Sequence, residues 1–371
     1  MNEKKLDFEP KCIATGVGSL PFRDAEEACL KILKLYPVAP YWPQLPKISF
    51  LENMNAQFSE HIPNEIVDYE NEKIWIDTEK DYIENLDKFY IKYTSNRIDN
   101  FTISSERAKG FYKFIKLLSE KHYDINKPLN NINIKNIKNN IKYIKGQVTG
   151  PITLGFSILD QDRKPIFYNN IIQDTVVKSI SMIAKWQENE FKKICPNCQS
   201  IIFFDEPYLA SLGSSYISLS KEQIINQLNQ CFNAISGIKG IHCCGKTDWS
   251  LITETDVDII NFDAYNYFEN FSIYSDEIIE FLNRGKVLAW GIVPTEPRED
   301  NINNLIEEII NKFNKQIEFL VNKGLDKDFI LRRSLLTHSC GLGTVSKEKA
   351  NKALILLNKV SDSIRNTYFV K

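Results

Sequence analysis

Three segments of this chain end an apolar run in a side chain able to hold a metal ion. Ile241-His242-Cys243-Cys244-Gly245 is the first. Side chains alternate across a strand, so His242 and Cys244 share one side and Cys243 faces the other. The run 257–262 is followed by Asp263, and the run 330–338 by Ser339 and Cys340. One imidazole, two thiolates and one carboxylate suit tetrahedral Zn²⁺, with Zn–S about 2.3 Å and Zn–N about 2.0–2.1 Å. The expected ligands are therefore His242, Cys244, Asp263 and Cys340, with Asp258 or Cys243 as alternatives to Asp263 and His338 as a supporting neighbour. Taken singly, each has a plainer explanation. His-x-Cys can be a packed strand end, and a free Cys usually behaves as a small buried apolar residue. The metal reading depends on the three segments meeting in space.

Further polar groups sit at similar places. In Phe203-Phe204-Asp205-Glu206-Pro207 two carboxylates stand where Pro207 ends an apolar run. Asp205 is expected to point into a pocket and hold a substrate cation such as an ammonium group, with Glu206 lining the same pocket. In Gly16-Val17-Gly18-Ser19-Leu20-Pro21 the glycines permit close backbone approach and Ser19 can donate to a ligand. Pro21 occupies the third glycine position of a dinucleotide fingerprint, which excludes that reading. Cys195-Pro196-Asn197-Cys198 precedes a strand and so lies on the opposite rim; with no second pair, ordinary packed cysteines are expected.

These groups need a scaffold that gathers strand ends. Strand candidates are 12–17, 37–41, 143–149, 200–205, 238–243, 257–262, 286–291 and 330–338, and the apolar ones among them are near-continuous, as in strands buried on both faces. Helical spacing fills 174–194, 222–236, 301–323 and 346–360. About eight strands alternating with helices predict a parallel α/β fold, most simply a (β/α)8 TIM barrel, whose active sites lie at the strand C-termini. Such a barrel needs about 250 residues, and the chain has 371. The excess is placed at 62–140, an insertion in one domain spanning 1–371: a hairpin at 66–77, a Tyr-rich helical stretch, and an Asn/Lys/Ile-rich run at 127–141.

Composition narrows the class. Lys+Arg of 46 against Asp+Glu of 48, net −2, excludes bulk nucleic-acid binding by charge. No apolar run approaches the ~18 residues that cross a bilayer. The first residues are charged and lack an apolar signal core. Eight cysteines, two of them adjacent, do not make a disulfide scaffold. A reduced, cytoplasmic protein is expected.

The ordered set Thr15–Pro21, Thr149–Thr153, Asp205–Pro207, His242-x-Cys244, Asp258–Asp263 and Cys340–Leu342 resembles the catalytic barrel of cobalamin-independent methionine synthase. The resemblance extends to uroporphyrinogen decarboxylase-like zinc methyltransferases. His242–Thr247 and Gly291–Thr295 lean toward the corrinoid-linked branch. It implies a methionine-synthase-like TIM barrel in which His242, Cys244 and Cys340 bind zinc and Asp263 replaces a family Glu. It places Ser19 and Asp205 on the amino-acid part of homocysteine, and Glu296 where the family has an acid histidine. The implied activity is zinc-dependent methyl transfer to a thiol, homocysteine giving methionine, from a methylated corrinoid protein. Zinc would let the acceptor thiol, with an ordinary pKa of about 8.5, react as thiolate near neutral pH. Methyltetrahydrofolate as donor, or coenzyme M as acceptor, are the alternatives it leaves open.

Overall fold

Parallel strands buried along nearly their whole length must be covered on both sides, and six of this chain's strands are arranged that way. The structure is a computed structural model that describes residues 7–119, 138–211 and 219–370. Its strands in chain order are β1 (Glu65–Asp68), β2 (Lys73–Ile76), β3 (Tyr143–Thr149), β4 (Leu159–Asp160), β5 (Gln199–Asp205), β6 (Ile238–Cys243), β7 (Ile259–Phe262), β8 (Val287–Val293) and β9 (Ser334–His338). A curled parallel sheet runs β3-β5-β6-β7-β8-β9, in the order of the chain. Helices Asn170–Ile194, Lys221–Phe232, Ile302–Asn322 and Lys347–Tyr368 lie between or after the strands.

Alternation along the strands splits their side chains into two layers. Ile201, Phe203, Ile238, Ile259, Val287, Ala289 and Leu335 form one cluster with Phe8, Ile13 and Ala39. The intervening residues, among them Phe204, Ile241, Ile260, Trp290 and Leu336, join the larger core beneath the helices. Burying one such side chain stabilises the fold by about 1.5–3 kcal/mol. The strand ends are therefore fixed in height before any polar group is considered.

Two expected strands are not regular strands. The runs 12–17 and 37–41 make isolated parallel bridges instead, Ala14 to Leu336 and Tyr41 to Lys145. The second lies among Pro37, Pro40 and Pro43, which have no N–H to give a ladder. The first is entered through Lys11 and Cys12 at positive φ, 51° and 58°. They still bond to the sheet edges: Leu336 N donates to Ile13 O at 2.9 Å and Lys145 N to Pro40 O at 2.9 Å. The expected strand 330–338 also begins late. Asp326 caps a helix Lys327–Arg332 by accepting from Phe329 N, and the strand starts at Ser334.

Residues 66–77 form a hairpin, with Glu65–Asp68 antiparallel to Lys73–Ile76, and β2 then pairs with β4. The Tyr-rich stretch is helical over Tyr82–Thr94. Of the Asn/Lys/Ile-rich run, 127–137 lies outside the described residues. Cys195 and Cys198 correct the expectation of plain cysteines, because they are bonded as a disulfide. The turn that makes this possible has Cys198 N donating to Cys195 O at 3.0 Å. Among the described residues no helix is long and apolar enough to cross a membrane.

The hairpin is tied down by a buried ion pair. Arg107 Nη1 and Nη2 donate to Glu65 Oε1 and Oε2 at 2.9 and 2.5 Å, and Nη1 also donates to Ala56 O. Both side chains are under a tenth exposed. Removing one partner of a buried pair strands the other charge. Arg107→Ala should therefore lower unfolding free energy by about 3–5 kcal/mol in urea melts.

Candidate metal centre

The register of the sheet builds the site. Thr149, Asp205, His242 and Asn261 lie opposite one another on β3, β5, β6 and β7, level with the strands' C-terminal ends. Cys244 follows β6 by one residue, and Cys340 follows β9 by two. The ligand atoms of His242, Cys244 and Cys340 all fall within 4.8 Å of one another. Residues 242 and 340 are nearly a hundred positions apart, so the fold alone brings them together.

Asn261 orients the imidazole. Its Nδ2 donates to Ala289 O and to Thr337 Oγ1, both at 2.8 Å, which leaves Oδ1 as the acceptor facing His242 Nδ1 at 2.6 Å. Thr337 Oγ1 donates onward to His338 O, so it can only accept from Asn261. The network thus places the imidazole proton on Nδ1 and presents the Nε2 lone pair to the cluster. Among the described residues, His242 Nε2 is buried with no hydrogen-bond partner outside the cluster.

The two thiols act as a pair. Cys340 bonds to the Cys244 sulfur, and His242 adds to this, holding Cys244 well below the ordinary thiol range despite burial. The same contact, with burial, pushes Cys340 far above it. One proton is shared: the first leaves easily and the second is retained. Burial acts to lower His242, but the Cys244 sulfur and Asp205 outweigh it and raise the imidazole.

Beneath the rim, Asp205 is 7% exposed and, among the described residues, its Oδ1 has no hydrogen-bond partner. Burial raises its pKa, against the pull of His242 and Lys145. Lys145 on β3 is fully buried. Its Nζ donates to Val17 O at 2.6 Å and Gln147 Oε1 at 3.1 Å and stands 4.5 Å from the Phe203 ring centroid.

Other expected site residues lie elsewhere or are engaged. Asp263 accepts from Asn266 N and Nδ2 at 2.8 Å each and is not part of the cluster. Asp258 pairs with Lys286 at 2.8 Å, and Cys243 is buried facing away. Glu206 caps the helix Pro151–Ser157, accepting from Ile152 N, Thr153 N and Thr153 Oγ1 at 2.9, 2.7 and 2.6 Å. Burial pushes Glu206 up to about 7. Glu296 is exposed and paired with Lys349. His338 is buried with Nε2 unpartnered among the described residues, and burial lowers it to about 4. Ser19 Oγ accepts from Gly343 N at 3.2 Å. Sequence reasoning missed Asn261 and Lys145. Each is a polar residue inside a strand that reads as buried, and that was the available signal.

The arrangement is thus an α/β sheet protein with a Cys2His cluster at the C-terminal ends of parallel strands. No family profile matches the chain, and no curated protein matches it. Similar solved structures include a GH113 β-mannanase from Alicyclobacillus acidocaldarius, at 11% identity over 62% of this chain and 75% of that one, TM-score 0.31. An endo-1,4-β-mannanase from Rhizomucor miehei shares 12% identity over 99% and 97%, TM-score 0.30. A GH10 endoxylanase from a sugarcane soil metagenome shares 12% over 96% and 97%, TM-score 0.28. These neighbours are glycan-cleaving enzymes and not methyltransferases. The expected membership of the methionine synthase family, and with it methyl transfer to a thiol and a place in methionine biosynthesis, is corrected: neither a family profile nor a curated protein supports it. Likeness at TM-scores of 0.28–0.31 carries no argument for glycan cleavage by this chain.

Two outcomes follow from the geometry. In metal-free protein, alkylation of Cys244 should stop accelerating with pH well below the ordinary thiol range, because its thiolate is already formed there. Cys340→Ala removes the bond that stabilises that thiolate, so the inflection should move up; mass-mapped alkylation rates read it. Asn261→Leu removes the acceptor of the Nδ1 proton. The ¹⁵N shifts of the His242 ring should then move from one tautomer to a mixture.

Proposed function

We propose that this chain binds Zn²⁺ through His242 Nε2 and the sulfurs of Cys244 and Cys340, leaving one coordination position for a small exogenous ligand. The observation that carries the reading is the convergence of three ligand atoms within 4.8 Å, one of them a buried imidazole nitrogen with no other partner among the described residues. The donor set fits the ion. Two thiolates and a neutral imidazole balance a divalent charge, and thiolate with imidazole selects a borderline-soft metal. Structural zinc sites use four protein ligands, whereas sites with three keep a place for water or substrate. Bound there, zinc supplies Lewis acidity to whatever occupies that place.

The chain's own residues divide the remaining work. Asn261 holds the imidazole in the metal-binding tautomer. Asp205, with an oxygen unpartnered among the described residues at the same level of the sheet, is the polar group offered to a cationic or hydrogen-bond-donating part of the ligand. The finer fold reading is a closed (β/α)8 barrel. It is supported by the bridges of Ala14 to β9 and Tyr41 to β3, and by the bridge of Ser19 to Gln44 between those two segments. Residues 62–140 are proposed as an insertion in that single domain.

The test is metal content. Protein purified with zinc and dialysed should retain about one equivalent by mass spectrometry. Cys244→Ala and Cys340→Ala should each lose it, while Cys243→Ala, altered on the opposite side of β6, keeps it. Wild-type protein that neither retains nor takes up zinc would overturn the proposal.

A further inference from the structure

Cys340 is held by no ladder of its own. β9 ends at His338, and the last bond to the sheet is Ser339 N to Val293 O at 2.8 Å. Beyond it the chain is gripped by a different segment. Leu342 N donates to Ser19 O at 2.9 Å and Gly343 N to Ser19 Oγ at 3.2 Å. The contact has no room to spare. A Cβ on Gly341 would stand 2.3 Å from Ser19 Oγ, and one on Gly343 3.0 Å from Ser19 Cβ. Ser19 is itself anchored: Leu20 N donates to Gln44 O at 2.9 Å, Gln44 N to Gly18 O at 3.2 Å, and Lys145 Nζ to Val17 O at 2.6 Å.

We infer that Ser19 is a positioning residue of the metal site: by clamping 341–343 it sets where the Cys340 sulfur stands relative to Cys244 and His242. The inference rests on the metal reading above. It gives the hydroxyl oxygen a task that the sequence did not show, the acceptance of a backbone N–H from the loop carrying a ligand. A two-residue overhang without its clamp swings the sulfur, and loss of a group that orients a ligand typically costs 10–100-fold in metal affinity.

The probe is Co²⁺ added to the full, zinc-stripped chain, since the near-ultraviolet thiolate-to-cobalt absorption grows with the number of sulfurs bound. Wild-type protein should show the two-thiolate intensity. Ser19→Ala should bind Co²⁺ roughly 10–100-fold more weakly, with intensity falling toward one thiolate. Gly341→Ala, which pushes on the clamp from the other side, should do the same. In the double variant the added methyl lies 3.6 Å from the residue-19 Cβ, in the space the hydroxyl leaves. It should be less impaired than the two single effects combined. Either single variant with wild-type affinity and full intensity overturns the inference and leaves the metal reading standing, as does strict additivity in the double variant. Should one single variant fail to fold, the other decides. Wild-type protein with no thiolate-to-cobalt band overturns the metal reading itself.

Discussion

The constraint on which the site depends is the parallel register of β5, β6 and β7. It places Asp205, His242 and Asn261 side by side at one height. A slip of one residue in β7 would turn Asn261 away and bring an apolar neighbour to the imidazole. Register in turn is held by the apolar layers. Ile201, Phe203, Ile238, Ile259, Val287 and Leu335 pack on one side of the strands, and Phe204, Ile241, Ile260 and Leu336 on the other. The polar network is built on this packing: Asn261 Nδ2 reaches Ala289 O and Thr337 Oγ1 because β8 and β9 stand where those layers put them.

Much of this was legible in the residues. Short β-prone runs between helical stretches marked the six sheet strands, with β3 expected at 143–149 and found at Tyr143–Thr149. Alternation placed His242 and Cys244 on one side and Cys243 on the other, and the structure puts the first two in the cluster with Cys340. What failed did so for local reasons. Proline removed the donors that a strand at 37–41 would need, and a capping Asp326 turned 327–332 into helix. Asp263 looked like a ligand because it ended a strand. A neighbour three residues on, Asn266, supplies two donors and keeps its carboxylate in its own loop. Glu206 looked like a pocket residue, yet the free N–H groups at the start of the helix Pro151–Ser157 claim it. Spacing shows which side chains share a face; it does not show which backbone donors compete for them.

The family resemblance shows the same limit at larger scale. Short motifs in the right order identified residues that do meet in space, but the family membership read from them did not hold. A ligand set is a statement about geometry and donor chemistry. Reaction type lies in the groups that surround the open position, and those are not encoded by the ligands.

Lys145 determines more than charge. Its four-carbon stem rises from β3 through the interior, past the Phe203 ring, to end on the Val17 carbonyl. The segment 16–19, bonded also to Gln44, thus rests in part on one side chain of fixed reach, like a shelf on a bracket. Its height above the strands is a matter of methylene groups. A shorter stem would either draw the shelf down or leave that carbonyl unbonded in a dry interior. In both cases the displacement would pass to the glycine loop resting against it.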